Sequence, residues 1–330
     1  MGEDGLRIGL IGLGSMGRHH ARVIRATPGM ELVAVADPGG DRFGVAGPLP
    51  LLPDVEALIG AGIDAAVVAV PTIHHEEVAL ALARAGVHAL VEKPIAHCSR
   101  AGRRVADAFA ERDLVGAVGY VERCNPALRA LRERLDAGEL GQVYQVLTRR
   151  QGPFPARIND VGVVKDLATH DIDLTAWVAG AHYESVHARV AYRSGRANED
   201  MVLATGRLTN GVIVSHTVNW LTPFKERVTV VTGEKGAFVA DTLTGDLTFH
   251  ANGTVASTWD QVAAFRGVSE GDVIRYAIPK REPLALEQER FRDAVRGVGH
   301  EHVTMAEGAD TLAVVEAVLT SASENRVVGL

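Results

Sequence analysis

Cysteine is almost absent from the chain: 330 residues contain only Cys98 and Cys124. Two cysteines without Cys-x-x-Cys or Cys/His ligand spacing exclude a disulfide scaffold and a structural zinc site, and no metal site is expected. Excess positive charge is missing as well. Lys and Arg total 34 against 41 Asp and Glu, a formal net charge of -7, so the basic surface a nucleic-acid partner requires is lacking. No stretch of about eighteen uncharged apolar residues occurs, which excludes a membrane-spanning helix. Glu3 and Asp4 stand where a secretory leader would carry basic residues, and a cytoplasmic location is therefore expected. What the chain does have is apolar bulk, 47% of its residues, enough for two cores and two domains.

The first part alternates between two periodicities. Short apolar runs at 6–10, 31–36, 65–70, 87–91 and 114–118 carry apolar residues on both faces, as buried parallel strands do. Between them, 18–26, 55–59, 76–84 and 100–111 have helical spacing, whereas 39–53 is rich in Gly and Pro and reads as loop. The rhythm changes near residue 120. A helix over 127–137 is followed by a strand at 143–149, a polar loop at 151–160 and a helix at 164–178. Longer alternating stretches then run at 183–192, 200–208, 212–220 and 226–232. Turns such as Thr209-Asn210-Gly211 favour hairpins and an antiparallel sheet. Helices at 284–297 and 303–321 end the chain, either covering the second sheet or returning toward the first domain. The predicted architecture is α/β: a parallel sheet covered by helices on both faces over 1–122, then a second α/β domain with an antiparallel sheet over 123–330.

Gly12-Leu13-Gly14-Ser15-Met16-Gly17 is a Gly-x-Gly-x-x-Gly turn between a strand and a helix. Gly12 and Gly14 permit the tight turn and close approach of a pyrophosphate, and Gly17 permits close helix packing. The helix start at Ser15 and Met16 supplies donors to negative charge. Asp37 follows Gly17 by 20 residues at the end of the second strand. There a carboxylate accepts the adenosine ribose hydroxyls and repels a 2'-phosphate, which favours NAD over NADP. Glu92-Lys93-Pro94 lies at the end of another sheet strand, the edge where open α/β sheets place ligands; taken alone, it reads equally as a charged turn. Asp166 and His170 are four residues apart on a helix and share a face. Imidazole suits removal of a hydroxyl proton near neutral pH, and the Lys93 ammonium suits orientation of the hydroxyl oxygen. The same spacing also suits an ordinary surface helix.

These stretches, with Pro71 to His75 and Asp166-Leu167-Ala168-Thr169-His170-Asp171-Ile172-Asp173, resemble the glucose–fructose oxidoreductase, inositol dehydrogenase and rhizopine catabolism family, Gfo/Idh/MocA. The resemblance runs over nearly the whole chain. It implies Lys93, Asp166 and His170 as the catalytic set, with His170 as base, and Pro71, His75 and Glu92 on the cofactor side. It also implies a dinucleotide-binding Rossmann domain over 1–122 and a C-terminal α/β domain over 123–330 with a large, predominantly antiparallel sheet, on which a homodimer or homotetramer is built. Within the family, 118–126, 152–157, 160–164 and 218–223 are similar to enzymes that oxidise the C3 hydroxyl of a UDP-N-acetylhexosamine. Cys124 and Lys165 depart from that subgroup's pattern. By this resemblance Tyr120, Arg123, Asn125, Arg157 and Trp220 join Lys93, Asp166 and His170 around the substrate. Arginines at 123, 149, 150 and 157 are candidates for a diphosphate. A free polyol such as inositol is the alternative substrate, and a non-catalytic dinucleotide-binding sensor a third reading.

Overall fold

The computed structural model describes residues 5–155, 161–253 and 271–330. They form two compact units, one of Met1–Val121 with Glu282–Glu316, the other of Glu122–Arg281 with Ala317–Leu330. A single cut after residue 122 therefore misplaces one stretch: the segment from Glu282 to Glu316 belongs with the first unit.

In the first unit, strands β1 (Leu6–Ile11), β2 (Met30–Ala36), β3 (Leu51–Leu52), β4 (Ala65–Val68), β5 (His88–Glu92) and β6 (Gly116–Gly119) alternate with helices α1 (Ser15–Ala26), α2 (Val55–Gly60), α3 (His75–Arg84) and α4 (Ser99–Ala110). The sheet order is β3-β2-β1-β4-β5-β6, all parallel. Every residue of β4 is buried, the mark of a strand covered on both faces. Asp54 caps α2 by accepting the Ala57 N–H at 2.8 Å, as its position before an apolar run predicts. The chain turns outward from β1 to β2 and β3 on one side and to β4, β5 and β6 on the other. The crevice at that reversal is where such sheets bind ligands. Helix α7 (Pro283–Val295) belongs here because its Phe291 is fully buried in the cluster of Ile8, Leu10, Leu32, Val67 and Leu90.

The second unit holds α5 (Pro126–Asp136), β7 (Val143–Pro153), a π-helical turn (Val164–Ala168) leading into α6 (Thr169–Ala179), and β8 (Tyr183–Ala191) to β15 (Val328–Gly329). Helix α8 (Met305–Glu324) supplies residues to both units. The intervening strands are β9 (Met201–Leu208), β10 (Ile213–Asn219), β11 (Leu221–Gly233), β12 (Gly236–Asp241), β13 (Asp246–Ala251) and β14 (Val273–Arg275). Among the described residues, nine strands make one sheet in the order β14-β13-β12-β11-β7-β10-β9-β8-β15. Only the β7–β10 pair is parallel; all other neighbours are antiparallel. The β9–β10 hairpin closes through Thr209-Asn210-Gly211, where Gly211 takes φ 88°. Alternate residues such as Val146, Val202, Val214, Val231 and Phe238 are buried on the face that α5 and α6 cover, while Leu203 and Ile213 stand exposed. No helix among the described residues is long and apolar enough to cross a membrane.

Candidate active site

The carboxyl edge of the first sheet collects every cofactor-side residue singled out from the sequence. Gly12 takes φ 92°, and a Cβ there would stand 2.5 Å from the Ala69 carbonyl group. The turn thus presses against the end of β4, and only glycine fits. A Cβ on Gly17 would overlap the Gly12 carbonyl oxygen, so the third glycine lets α1 start tight against the turn. Gly14 differs: a Cβ there meets nothing within 4 Å. Its neighbourhood is open at the N-terminus of α1, with Ser15 exposed and Met16 half-buried beside it. That gap and its free amides fit a pyrophosphate.

Asp37 follows β2 directly. Its Oδ2 accepts the Leu13 N–H at 2.8 Å and its Oδ1 the Gly39 N–H at 2.7 Å. The carboxylate therefore braces the glycine turn and retains lone pairs for ribose hydroxyls. Pro71 opens a 3-10 turn over Thr72–His74. His75, which follows, is buried between two carbonyls, with Nδ1 2.8 Å from Pro94 O and Nε2 2.9 Å from Val70 O. Burial holds its pKa below the ordinary value, and a neutral ring has one N–H, which it donates to one of the two carbonyls.

Glu92 closes β5 and precedes Lys93, whose bond to Pro94 is cis. The Glu92 carboxylate is buried; Oε2 accepts the Lys93 N–H at 3.1 Å and Oε1 faces His20 Nε2 at 2.8 Å. Burial pushes its pKa up, but the His20 hydrogen bond, with Lys93 and His75 nearby, outweighs that and leaves it below the usual value. The carboxylate is thus ionised at neutral pH. Tyr120, one residue past β6, is buried.

In the second unit, the π-helical turn carries buried Asp166, and the first turn of α6 carries half-buried His170. Their spacing crosses the change from wide to normal winding, and π turns recur at functional sites. Glu199 caps this helix start: Oε1 accepts the Val164 N–H at 3.0 Å, while its backbone carbonyl accepts Val163 N–H. Gly162 is required beside it, since a Cβ there would overlap the Glu199 carboxylate.

The neighbouring acids of α6 are spent on arginines. Arg123, expected at the substrate, forks onto Asp173 at 2.9 and 2.7 Å, with both side chains buried. Arg150 reaches both Asp171 oxygens at 3.1 Å and Glu122 at 2.7 Å. Burial drives the Asp171 carboxyl up to about 6 even against Arg150. Arg149 pairs with Glu226 at 3.0 Å, half-exposed, and Arg157 lies outside the described residues. The arginines therefore do not converge as an open phosphate cluster among the described residues. Asn125 caps α5 through the Ala127 N–H at 3.0 Å and donates to Thr242 O at 3.0 Å. Trp220 is buried and meets Phe154 edge-on, centroids 5.2 Å apart, with Arg196 over the Phe154 ring. It is placed as packing, not as an open stacking surface. Glu199, Glu122 and His20 had no counterpart in the sequence reading.

A parallel sheet in this order, with a glycine turn after β1 and an acid after β2, marks a dinucleotide-binding protein. Comparison with known proteins narrows the class. Residues 6–120 match the oxidoreductase family, NAD-binding Rossmann fold, and residues 128–239 match the GFO/IDH/MocA C-terminal domain. UDP-N-acetylglucosamine 3-dehydrogenase of Acidithiobacillus ferrooxidans is 32% identical over 293 residues, 88% of each chain. The NAD-dependent scyllo-inositol 2-dehydrogenase of Bacillus subtilis is 32% identical over 57% of this chain and 58% of that one. A solved structure of the Acidithiobacillus enzyme, GnnA, superposes with a TM-score of 0.83 at 27% identity, covering 97% of this chain and 98% of that one. The chain belongs to the Gfo/Idh/MocA oxidoreductase family. It is an NAD-dependent dehydrogenase of sugar or polyol hydroxyls.

Proposed function

We propose that the substrate is a UDP-N-acetylhexosamine or a related nucleotide sugar, oxidised at its C3 hydroxyl. The observation that carries this reading is the near full-length match to the Acidithiobacillus enzyme, in sequence and in fold. Bound NAD supplies the hydride acceptor. Gly12, Gly14, Ser15, Met16 and Gly17 hold its pyrophosphate, Asp37 its adenosine ribose, and Pro71, His75, Glu92 and Lys93 lie toward its reacting end. His170 takes the hydroxyl proton as hydride leaves the carbon. Lys93 orients the hydroxyl oxygen, and Asp166 holds the hydroxyl or steadies the charged imidazole. Tyr120 and Asn125 line the substrate site. The buried pairing of Arg123 with Asp173 and the packed position of Trp220 give those two a supporting place instead. The exposed Leu203 and Ile213 on the outer sheet face support assembly into a dimer or tetramer.

One observation favours a polyol instead: Arg123 and Arg150 are both committed to carboxylates, which leaves fewer cations for a diphosphate. The test is NADH formation with UDP-N-acetylglucosamine, UDP-N-acetylgalactosamine, myo-inositol and scyllo-inositol, with the oxidised carbon located by NMR. Turnover of a UDP-sugar to its 3-ketone is expected. Turnover of an inositol with none of the nucleotide sugars would replace this reading. His170→Ala is expected to lose about 10²- to 10⁴-fold in kcat with NAD affinity kept; unchanged turnover would remove His170 from its role.

A further inference from the structure

Two histidines stand side by side in α1, and only His20 turns fully inward. Its Nε2 lies 2.8 Å from Glu92 Oε1, and its Nδ1 lies 2.9 Å from the side-chain nitrogen of Gln288 in α7. Gln288 is also fully buried. An amide N–H directed at Nδ1 makes that nitrogen the acceptor, so the ring proton sits on Nε2 and is donated to Glu92. Three elements remote in sequence, α1, β5 and α7, thus meet in one dry chain of polar groups. The far oxygen of Glu92 holds the Lys93 backbone N–H, so the chain ends at that lysine.

The surroundings keep the Glu92 charge in place. His75 faces it from α3, Lys93 adjoins it, and Glu287 faces it from α7. Burial and the Glu92 charge raise the Glu287 carboxyl well above its ordinary value. The shift favours the protonated form of Glu287, which adds no second negative charge beside Glu92. Glu287 Oε2 and Gln288 Oε1 are buried without hydrogen-bond partners among the described residues. Gly119 of β6 lies beside the carboxylate, where a Cβ would make ordinary contact at 3.4 Å from Glu92 Oε2. Such a network is costly to break at one member, since the remaining groups stay buried and unpaired.

We propose that His20 is a positioning residue for the dehydrogenase reaction: backed by Gln288, it fixes the Glu92 carboxylate whose other oxygen sets the backbone of Lys93. The proposal rests on Lys93 contacting the substrate hydroxyl, as assigned above. His20 itself touches neither substrate nor cofactor. Its effect falls on kcat, through the placement of Lys93, and on the pH at which Glu92 takes up a proton.

The test compares full-length His20→Leu, His20→Gln, Glu92→Gln and Lys93→Met in kcat, NAD affinity, thermal melting and the pH profile of kcat. In His20→Leu, kcat is expected to fall on the order of tenfold with NAD affinity little changed. The acid limb should move to higher pH, because Glu92 loses the donor that held its pKa down. His20→Gln places an amide N–H where Nε2–H stood and should restore both readouts. The His20→Leu and Glu92→Gln losses should not multiply in the double variant, because both act through one carboxylate. A folded His20→Leu with unchanged kcat and acid limb overturns the proposal, as do losses that multiply. Should His20→Leu fail to fold, Glu92→Gln decides: an unchanged kcat there overturns it equally. Wild-type turnover in Lys93→Met overturns the lysine assignment and this proposal with it, whereas loss in Lys93→Met beside a silent His20→Leu overturns this proposal alone.

Discussion

Gly14→Ala separates binding from folding more cleanly than any other change in the glycine turn. The added methyl meets nothing within 4 Å, and the backbone at φ -73° and ψ -153° suits alanine. Loss of unfolded-chain freedom stabilises by roughly 0.4–1 kcal/mol, and loss of glycine at a helix N-cap costs about as much, so melting should move by less than about 1 kcal/mol. The methyl does fill the space beside the first amides of α1. A phosphate oxygen at hydrogen-bond distance from those amides would be pushed back by roughly 1 Å, the difference between a polar contact and a van der Waals contact. Losing one or two charge-assisted bonds, each worth about 1.5–3 kcal/mol, weakens NAD by roughly 1.5–6 kcal/mol, or about 10- to 10⁴-fold in Kd. Fluorescence titration with NAD, beside a thermal melt, measures both quantities. Gly17→Ala is the contrast: its Cβ overlaps the Gly12 carbonyl oxygen, so stability and affinity should fall together. Wild-type NAD affinity in the Gly14→Ala enzyme would remove the pyrophosphate from this turn.

Two further outcomes concern the second unit. His216 is buried between Thr148 Oγ1 at 2.8 Å and Tyr183 OH at 2.9 Å, and burial lowers its pKa from 6.5 to about 4. The unfolded chain then binds the extra proton between those values, so this contribution is intact above pH 6.5 and lost as pH falls toward 4, by about 2 kcal/mol at pH 5. Urea melts of wild type and His216→Asn at pH 7 and pH 5 should differ by that amount in their pH response, and equal responses would contradict it. Arg150→Met strands the Asp171 and Glu122 carboxylates and should cost about 3–5 kcal/mol; a urea midpoint close to wild type would show that the pair is dispensable.

What was legible in the sequence follows from how each element is stabilised. The strands of the first unit are buried on both faces, and continuous apolar runs announce such strands directly. Strand β12, Gly-Ala-Phe-Val-Ala-Asp, lacks polar/apolar alternation and owes its form to pairing with β13, whereas Asp-Leu-Thr-Phe-His-Ala of β13 alternates at every position and does carry a strand signal. The polar loop expected from residue 151 is strand through Pro153, because β11 extends to pair with it at Leu221. Helix α7 was visible as a helix, but periodicity gives an apolar face without saying which core receives it. Only the burial of Phe291 among β-strand residues of the first unit decides that.

The same distinction runs through the candidate site. Gly12 to Gly17 and Asp37 carry local signals, because a turn and a strand end determine what they do. His20 carries none: its partners lie 72 and 268 residues away, and a histidine on the inner face of a helix reads as packing. The segment from Asp166 to Asp173 mixes both kinds. Its acids look alike in sequence, yet Asp171 and Asp173 answer Arg150 and Arg123, residues supplied by β7 and by the 3-10 turn at Val121–Cys124. Those pairs anchor α6, whereas Asp166 and His170 are the two residues of the segment proposed for the reaction chemistry. A charge-rich motif of this kind therefore serves two ends, and its chemistry becomes readable once the arginines have claimed the acids that belong to the fold.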